Sequence, residues 1–185
     1  MKNYTPDVYA RAAKIKLLLM DVDGVLTNGA LSYLPIDGKM VEFKGFNTQD
    51  GLGFHFLNSV GIKTGVISGR ESPALVERAR ILKMTYVFQG LLEKEATYEA
   101  ILTDANLTAD QTAFIGDDFT DAPLMQRSGL GCAVADARIE VQAVAHVVTS
   151  ANGGAGAVRE VIELILKSQG LWPQILQKYK LAPPE

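Results

Sequence analysis

The stretch Leu17-Leu-Leu-Met-Asp21-Val-Asp23-Gly-Val-Leu-Thr27 decides how the rest of this chain is interpreted. Four apolar residues in a row predict a short strand that is buried on both faces, as in parallel sheets. Asp21 and Asp23 follow at the carboxyl end of that strand, the edge where open parallel sheets bind ligands. Because side chains alternate in extended backbone, the two carboxylates can point the same way. One can then act as a nucleophile and the other can carry protons.

On this motif alone, two simpler interpretations compete with a catalytic site. The first is a turn with solvated acids, and the second is a calcium loop. A calcium loop of the EF-hand type needs a glutamate at its twelfth position, and counting from Asp21 that position is Ser32. The calcium interpretation therefore fails, and the rest of the chain must decide between the other two.

Composition limits the class of protein. The 185 residues suit a single domain, 1–185, and the 48% of hydrophobic residues can form a real core. A net charge of −3 does not indicate nucleic-acid binding, and no apolar run reaches the roughly 18 residues of a membrane span. The first residues lack the apolar segment of a signal peptide, and the single Cys132 cannot form an internal disulfide. We expect a cytoplasmic protein without nucleic-acid or membrane partners.

Strand and helix patterns alternate along most of the sequence. The predicted strands are 15–20, 62–67, 85–88, 112–115, 130–134 and 145–149. The predicted helices are 7–13, 52–60, one opened by Ser72 as cap and Pro73, 93–104, one ending near 127, a short one between the last two strands, and one with Val158, Val161, Ile162 and Ile165 on its buried face. This alternation predicts an α/β fold with a doubly wound, mostly parallel Rossmann-like sheet.

Two segments stand outside that alternation. Asp37-Gly38, between two interleaved apolar and polar runs, predicts a β-hairpin insert over residues 29–43, directly after the first strand. An insert at this place either covers a site, forms an interface, or is a surface decoration. The tail 170–185 contains the only tryptophan, Trp172, and is either loosely held or docked on a neighbour.

Three predicted strands end in residues that can do chemistry. Besides Asp21 and Asp23, one strand ends in Ser68-Gly69-Arg70 and another runs into Asp117, Asp118 and Asp121. Carboxylates with a serine, a lysine and glycine-rich turns favour a Mg²⁺ and phosphate site, in which Lys94 neutralises a phosphate oxygen and Ser68 and the amides near Gly69 bind the others. His55 and His146 fall outside every motif, and we expect ordinary structural roles for them.

Together these residues resemble the signature of the haloacid dehalogenase-like phosphatases over nearly the whole chain. The four matching motifs, in order, are Asp21-Val-Asp23-Gly-Val-Leu-Thr27, Ser68-Gly-Arg, Lys94, and Gly116-Asp-Asp-x-x-Asp121. The resemblance implies that Asp21 forms an aspartyl-phosphate and that Asp23 protonates the leaving alcohol and then activates water. It also implies Mg²⁺ held by Asp21, the backbone carbonyl of Asp23, and Asp117. Asp118 and Asp121 would orient these ligands and Lys94.

A closer resemblance is to the subfamily that includes 3-deoxy-D-manno-octulosonate 8-phosphate (KDO 8-phosphate) phosphatase, nonulosonate 9-phosphate phosphatases and the phosphatase-like domains fused to some cytidylyltransferases. The supporting features are the absence of a large cap insertion, the segment Phe46-Asn47-Thr-Gln-Asp50-Gly51, and Gly153-Gly-Ala-Gly-Ala-x-Arg159-Glu160. In that subfamily four hairpins join into a barrel within a homotetramer, and a neighbouring subunit closes each site. The implied phosphate and substrate contacts are Asp23, Thr27, Asn47, Thr48, Gln49, Asp50, Gly51, Ser68, Gly69, Arg70, Arg78 and Lys94.

The resemblance leaves several alternatives open. It implies a phosphatase acting on KDO 8-phosphate in lipopolysaccharide sugar biosynthesis. Gln49 stands where the octulosonate enzymes usually carry arginine, so a nonulosonate 9-phosphate is the alternative substrate. A non-catalytic subunit that partners a cytidylyltransferase is a third possibility, although Asp21, Asp23, Lys94 and Asp117 are all present. Arg159 either fixes the C-terminal helix or belongs to an interface.

Overall fold

Strands and helices alternate through the computed structural model, which describes residues 4–182. In chain order the elements are α1 (Pro6–Ala12), β1 (Leu17–Met20), β2 (Ser32–Ile36), β3 (Lys39–Phe43), α2 (Thr48–Ser59), β4 (Lys63–Ile67), α3 (Pro73–Leu82), β5 (Tyr86–Phe88), α4 (Glu95–Ala105), β6 (Thr112–Gly116), α5 (Ala122–Arg127), β7 (Leu130–Ala133), α6 (Ile139–Ala143), β8 (Val147–Val148), α7 (Ala157–Ser168) and α8 (Trp172–Lys178).

Six of the strands form one parallel sheet in the order β5-β4-β1-β6-β7-β8. The strand β1 lies between β4 and β6, and all four of its residues are fully buried. This confirms the prediction of a short apolar strand covered on both faces. The backbone N–H of Asp21 donates to Ile115 O at 3.0 Å, so the ladder continues one residue past β1 and fixes the start of the first motif.

The predicted hairpin is present as an antiparallel pair apart from the main sheet. Strands β2 and β3 pair from Ser32–Phe43 to Ile36–Lys39, and Asp37 and Gly38 turn the chain with φ values of 49° and 75°. Two central turn residues with positive φ match the right-handed twist of a hairpin. Most side chains of the pair are exposed, among them the apolar Leu34, Ile36 and Met40.

The helices fall into two packed groups, as a doubly wound fold requires. Helices α1, α2, α3, α7 and α8 pack in one connected series, and α4 packs against α5. The predicted tail contains α8, a helix that the sequence pattern did not reveal. Its Ile175 and Leu176 are buried, and Trp172 meets Phe56 of α2 edge-on with ring centroids 6.0 Å apart. The tail is therefore docked on its own chain through α8, and residues 183–185 lie outside the described part.

Some predicted element boundaries were wrong. Helix α2 begins at Thr48 rather than at residue 52, because the Asn47 side chain accepts hydrogen bonds from the N–H groups of Gln49 and Asp50 and so caps the helix four residues earlier. Ser72 stands at the cap position of α3, but its side chain makes no capping bond. The last strand is shorter than predicted, and Lys94 immediately precedes α4 instead of lying within it.

Two residues outside the sequence motifs, Cys132 and His146, are held within the fold. Cys132 is fully buried in β7, and burial raises the pKa of its thiol. His146 Nδ1 accepts the backbone N–H of Gly131 at 2.9 Å, and burial lowers the pKa of this imidazole. Across residues 4–182, every helix is too short or too polar to cross a bilayer.

Candidate active site

A buried lysine links two of the predicted strand ends. Lys94 is 3% exposed, and its Nζ donates to Asp21 Oδ1 and to Asp121 Oδ1, both at 2.7 Å. A charge that is removed from water is tolerated only when it is paired and hydrogen-bonded, and two carboxylates meet that condition here. The structure therefore brings the first, third and fourth motifs together, as the sequence predicted. We call Asp21, Lys94, Asp117 and Asp121 the aspartate cluster.

Asp121 organises the loop after β6. While its Oδ1 accepts from Lys94, its Oδ2 accepts from the backbone N–H groups of Asp117 and Asp118 at 3.0 and 3.3 Å. Both oxygens are thus occupied by protein donors. The side chain of Asp118 turns to its own loop, where Oδ1 accepts the N–H of Phe119 at 2.7 Å. Asp121 therefore contacts both Lys94 and the loop that carries Asp117 and Asp118.

Oxygen atoms of three carboxylates lie close enough to share one cation. A carboxylate oxygen of Asp21, one of Asp117 and one of Asp121 all lie within 4.8 Å of one another. Asp117 Oδ1 is buried, and no group in residues 4–182 forms a hydrogen bond with it. A buried acceptor without a donor is the feature that a metal ion would satisfy. Hard carboxylate oxygens suit Mg²⁺, so the donor set fits the predicted ion.

The close approach of Asp117 to the first motif requires a glycine. Gly24 has φ +96°, and a Cβ atom at this position would lie 2.1 Å from Asp117 Oδ2. A side chain is excluded both by the backbone conformation and by the carboxylate. Gly24 therefore permits both the turn of the chain after β1 and the close approach of Asp117.

Burial and mutual repulsion shape the ionisation of the aspartate cluster. Burial, reinforced by the nearby Asp121 and Asp21, raises the pKa of Asp117 to about 8. Burial and Asp121 also raise the pKa of Asp21 to about 6, and Lys94 opposes that rise. Burial lowers the pKa of Lys94, but the two carboxylates outweigh it and the net change is upward. The cluster holds more negative groups than one lysine balances, which favours an added cation.

Asp23 lies in a separate group of charges that the sequence only partly revealed. Lys44 Nζ contacts Asp23 Oδ1 and lies 3.4 Å from Glu42 Oε1. Arg70 Nη2 binds Glu42 Oε2 at 2.6 Å, and this guanidinium lowers the pKa of Glu42. We call Asp23, Glu42, Lys44 and Arg70 the hairpin charge ring. Glu42 and Lys44 were not predicted as site residues, although their i, i+2 spacing at the end of β3 places both side chains on one face.

Ser68, from the second motif, and Thr27 are buried near the ends of β4 and β1. Ser68 and Thr27 are each 2% exposed. The Ser68 hydroxyl accepts the N–H of Arg70 at 3.3 Å, and Thr27 Oγ1 lies 3.5 Å from Asp23 Oδ1 and accepts the N–H of Gly29. Gly69 follows the end of β4, next to β1 in the sheet. The first two motifs are therefore neighbours at one sheet edge.

The segment 47–51 is fixed by buried contacts. Asp50 is 1% exposed, and its Oδ1 accepts the N–H of Arg159 in the first turn of α7 at 2.7 Å. Arg78 donates to Asn47 O at 3.2 Å, and a Cβ on Gly51 would lie 2.5 Å from Arg78 Nη2. These contacts favour a supporting role for Asp50, Gly51 and Arg78, while Thr48 and Gln49 are exposed.

Arg159 joins the C-terminal helix to the same segment. Its guanidinium lies 4.5 Å from the centre of the Phe56 ring and 5.9 Å from that of Trp172, and its Nη1 donates to Gln49 O at 3.4 Å. Its Nε binds Glu163 at 2.9 Å. Of the two alternatives from the sequence, these contacts support the one in which Arg159 fixes the C-terminal helix.

Known proteins are similar to this chain over most of its length. The 3-deoxy-D-manno-octulosonate 8-phosphate phosphatase of Yersinia pestis is 44% identical over 163 residues, which cover 88% of this chain and 86% of the relative. The chain belongs to the KDO 8-phosphate phosphatase family. The model of the wider haloacid dehalogenase-like hydrolase family matches residues 83–162, which include the third and fourth motifs.

Two solved members of the KDO 8-phosphate phosphatase family carry metals. The enzyme of Moraxella catarrhalis, in complex with magnesium, phosphate and KDO, is 34% identical with a TM-score of 0.91, and the match covers 95% of this chain and 99% of that one. The cobalt-bound enzyme of Haemophilus influenzae is 42% identical with a TM-score of 0.81, covering 86% of this chain and 92% of that one. Family membership confirms the resemblance and the fold inferred from the sequence.

Proposed function

We propose that the protein is a Mg²⁺-dependent phosphatase that hydrolyses KDO 8-phosphate to KDO and phosphate through an aspartyl-phosphate. The observation that carries this proposal is the aspartate cluster, in which Lys94 joins Asp21 to Asp121 beside the unpartnered oxygen of Asp117. Relatives with 44% identity are named as KDO 8-phosphate phosphatases, and one structural relative contains magnesium, phosphate and KDO. The cluster supplies the groups that such chemistry needs.

In the proposed first step, a carboxylate oxygen of Asp21 attacks phosphorus and the bond to the sugar oxygen breaks. The acid form of Asp23 gives its proton to that oxygen, so the alcohol leaves neutral. In the second step, water attacks phosphorus, Asp23 takes a proton from the water, and the bond to Asp21 breaks. Asp21 and Asp23 end the cycle as they began it, and phosphate is released.

The remaining residues position charge. Asp21, Asp117 and the backbone carbonyl of Asp23 would hold Mg²⁺, which neutralises negative charge on the phosphoryl group when bound. Lys94 keeps Asp21 in place and offers a cation to a phosphate oxygen, and Asp121 orients both Lys94 and the loop that carries Asp117 and Asp118. Ser68, Thr27 and the backbone at Gly69 complete the proposed phosphate site.

We assign the sugar-acid part of the substrate to Arg70 and to residues 47–49. The buried contacts of Asp50 and Arg78 hold those residues in place. The planar fork of an arginine suits a carboxylate, and the Arg70 side chain is 44% exposed and open to a ligand. Gln49 favours a second candidate function, hydrolysis of a nonulosonate 9-phosphate, because it offers hydrogen bonds without the charge of an arginine. Its side chain is exposed, so it can meet a ligand.

We further propose that residues 1–185 act as one phosphatase domain that assembles into a cytoplasmic homotetramer through the hairpin insert. Support comes from apolar side chains that the hairpin exposes, including Met40 at 67% and Ile36 at 49%. Exposed apolar strands favour an interface. A site without a cap also needs a neighbour to exclude water during the reaction.

A panel of phosphate esters tests the proposed function. Phosphate release is measured with Mg²⁺ on KDO 8-phosphate, a nonulosonate 9-phosphate and glucose 6-phosphate, with Asp21→Asn as the inactive control. We expect the highest kcat/KM on KDO 8-phosphate. A preference for the nonulosonate ester would keep the mechanism and replace the substrate. Hexose phosphate as the best substrate, or no release from any ester, would contradict the assignment.

A further inference from the structure

One lysine at the end of the hairpin, Lys44, lies against the turn that follows β1. Lys44 follows β3 directly, and its side chain is only 3% exposed, unlike most side chains of the hairpin itself. Its Nζ contacts Asp23 Oδ1 and lies 3.4 Å from Glu42 Oε1. A buried ammonium requires such partners, so the two carboxylates fix where the lysine ends.

The second oxygen of Asp23 faces a different cation. Arg70 Nε lies 3.7 Å from Asp23 Oδ2, while Arg70 Nη2 binds Glu42 Oε2 at 2.6 Å. Glu42 therefore contacts both cations that flank Asp23. The hairpin charge ring closes on itself, with two members from the hairpin segment and two from the ends of β1 and β4.

The ring matters because Asp23 does not lie in a regular strand. It belongs to the turn that follows β1, where the sheet ladder no longer fixes side-chain direction. Besides the ring, its carboxylate has a long contact with Thr27 Oγ1, at 3.5 Å. Lys44 is thus the closest group to hold Asp23 Oδ1 and leave Oδ2 toward the more exposed side, where Arg70 lies.

We propose that Lys44 is a positioning residue for the acid–base carboxylate of Asp23, so that the hairpin takes part in the reaction as well as in assembly. The inference rests on the proposed phosphatase function. Lys44 transfers no proton in this scheme: the proton moves between Asp23 and the sugar oxygen or water. The effect of Lys44 is to keep the Asp23 carboxylate aligned with the leaving oxygen, where small displacements are costly.

The test compares two leaving groups. A sugar alcohol must be protonated as it leaves, whereas p-nitrophenolate leaves without a proton. In Lys44→Met, kcat/KM for KDO 8-phosphate should fall about 10- to 100-fold, within the range of general acid catalysis, while that for p-nitrophenyl phosphate falls less than about 3-fold. Lys44→Arg keeps the cation and should restore part of the lost ratio.

Two further variants control the comparison. Lys63→Met removes an exposed lysine at the start of β4, outside the hairpin, and should leave both substrates unchanged. The double variant Glu42→Gln/Lys44→Met removes one charge of each sign; it should fold even if Lys44→Met does not, and it should show the same selective loss. Each variant is checked by circular dichroism and light scattering before kinetics.

The outcomes separate this inference from the function it rests on. Equal losses on both substrates would mean that Lys44 binds phosphate or supports the fold, and would overturn the inference alone. Unchanged kinetics in the folded Lys44 variants would also overturn it. A wild-type protein that releases no phosphate from the sugar-acid esters would overturn the proposed function and this inference together.

Discussion

The aspartate cluster contains Asp21 at the end of β1, and the hairpin follows the same strand in the sequence, yet the two regions differ in how complete they are. Asp21, Lys94 and Asp121 of the cluster are buried and Asp117 is half-buried, and Lys94 has two partners at 2.7 Å within a single chain. The hairpin exposes apolar side chains from both strands. A single chain therefore brings the charged groups of the cluster together, whereas we infer that cover for those groups comes from association between chains.

The largest expected effect is the fall in kcat when the proposed nucleophile, Asp21, is replaced. Asp21→Asn keeps the shape of the side chain but removes the attacking carboxylate, so kcat on the best ester should fall at least about 10⁴-fold. Stopped assays with radiolabelled phosphate ester should trap no acid-stable, alkali-labile phosphoenzyme in this variant. The oligomeric state should remain that of the wild type. Activity above a hundredth of wild type would show that the cluster is not the reactive region.

Mg²⁺ binding to the aspartate cluster should depend on pH, unlike association through the hairpin. The raised pKa of Asp117, about 8, means that the folded apoprotein holds a proton that the unfolded chain releases near its ordinary pKa. Stability of the apoprotein from this group is therefore lost as pH rises between about 4 and 8. Because Mg²⁺ needs the carboxylate, its affinity should weaken about tenfold for each pH unit below 8.

Thermal unfolding of chelator-treated protein, with and without Mg²⁺, checks that dependence. The increase in Tm caused by Mg²⁺ should be larger at pH 8 than at pH 6. Asp117→Asn should lose both the metal-dependent increase and its pH dependence. The prediction would be contradicted by a metal-dependent increase that is the same at both pH values in the wild type.

Charged substitutions in the hairpin should dissociate the proposed oligomer and leave the aspartate cluster intact. The double variant Ile36→Glu/Met40→Glu places like charges on the proposed interface, so the assembly should dissociate while the monomer stays folded. We expect kcat/KM to fall about tenfold, because an open site is less able to exclude water. Light scattering and Mg²⁺-dependent Tm are measured together. Ile81→Glu, which charges an equally exposed isoleucine on α3, is the matched control. An intact oligomer in the hairpin variant would count against the interface.

The smallest expected effect lies outside both regions, at Gln49 in the first turn of α2. Gln49→Arg adds a charged donor to an exposed position, and kcat/KM for KDO 8-phosphate should rise only about 3- to 10-fold, since solvent screens part of the interaction. Gln49→Lys is the control for charge without the planar fork. A rise on the nonulosonate ester instead would assign this residue to the alternative substrate.

The parts of the site that follow from sheet topology were predictable from the sequence. Parallel strands end at one edge, so the apolar run before Asp21 and the one before Asp117 were enough to place both carboxylates together. The hairpin turn at Asp37-Gly38 was also predictable, because the two turn residues themselves determine its backbone conformation. Asn47 was identified as a substrate contact, but its capping bonds became visible only in the structure.

Contacts between distant segments were not predictable. The pairing of Lys44 with Asp23 depends on how the hairpin folds over the sheet edge, which no periodicity specifies. Helix α8 is seven residues long, and a segment of that length gives too weak a pattern to predict a helix. Its stability comes from the packing of Trp172 and Ile175 on residues far away in sequence.

The hydrogen bond between Asp50 and the first turn of α7 has a consequence for how the protein is made. It joins residues 109 positions apart, and β6 enters the sheet beside β1 long after β1 has been synthesised. A ribosome therefore exposes the proposed nucleophile, Asp21, early, as part of a chain that still lacks Asp117, the proposed metal ligand, and the helix that holds Asp50. Nascent chains that end before α7 should be inert, and catalysis should begin only after α7 has left the ribosome and packed against Asp50.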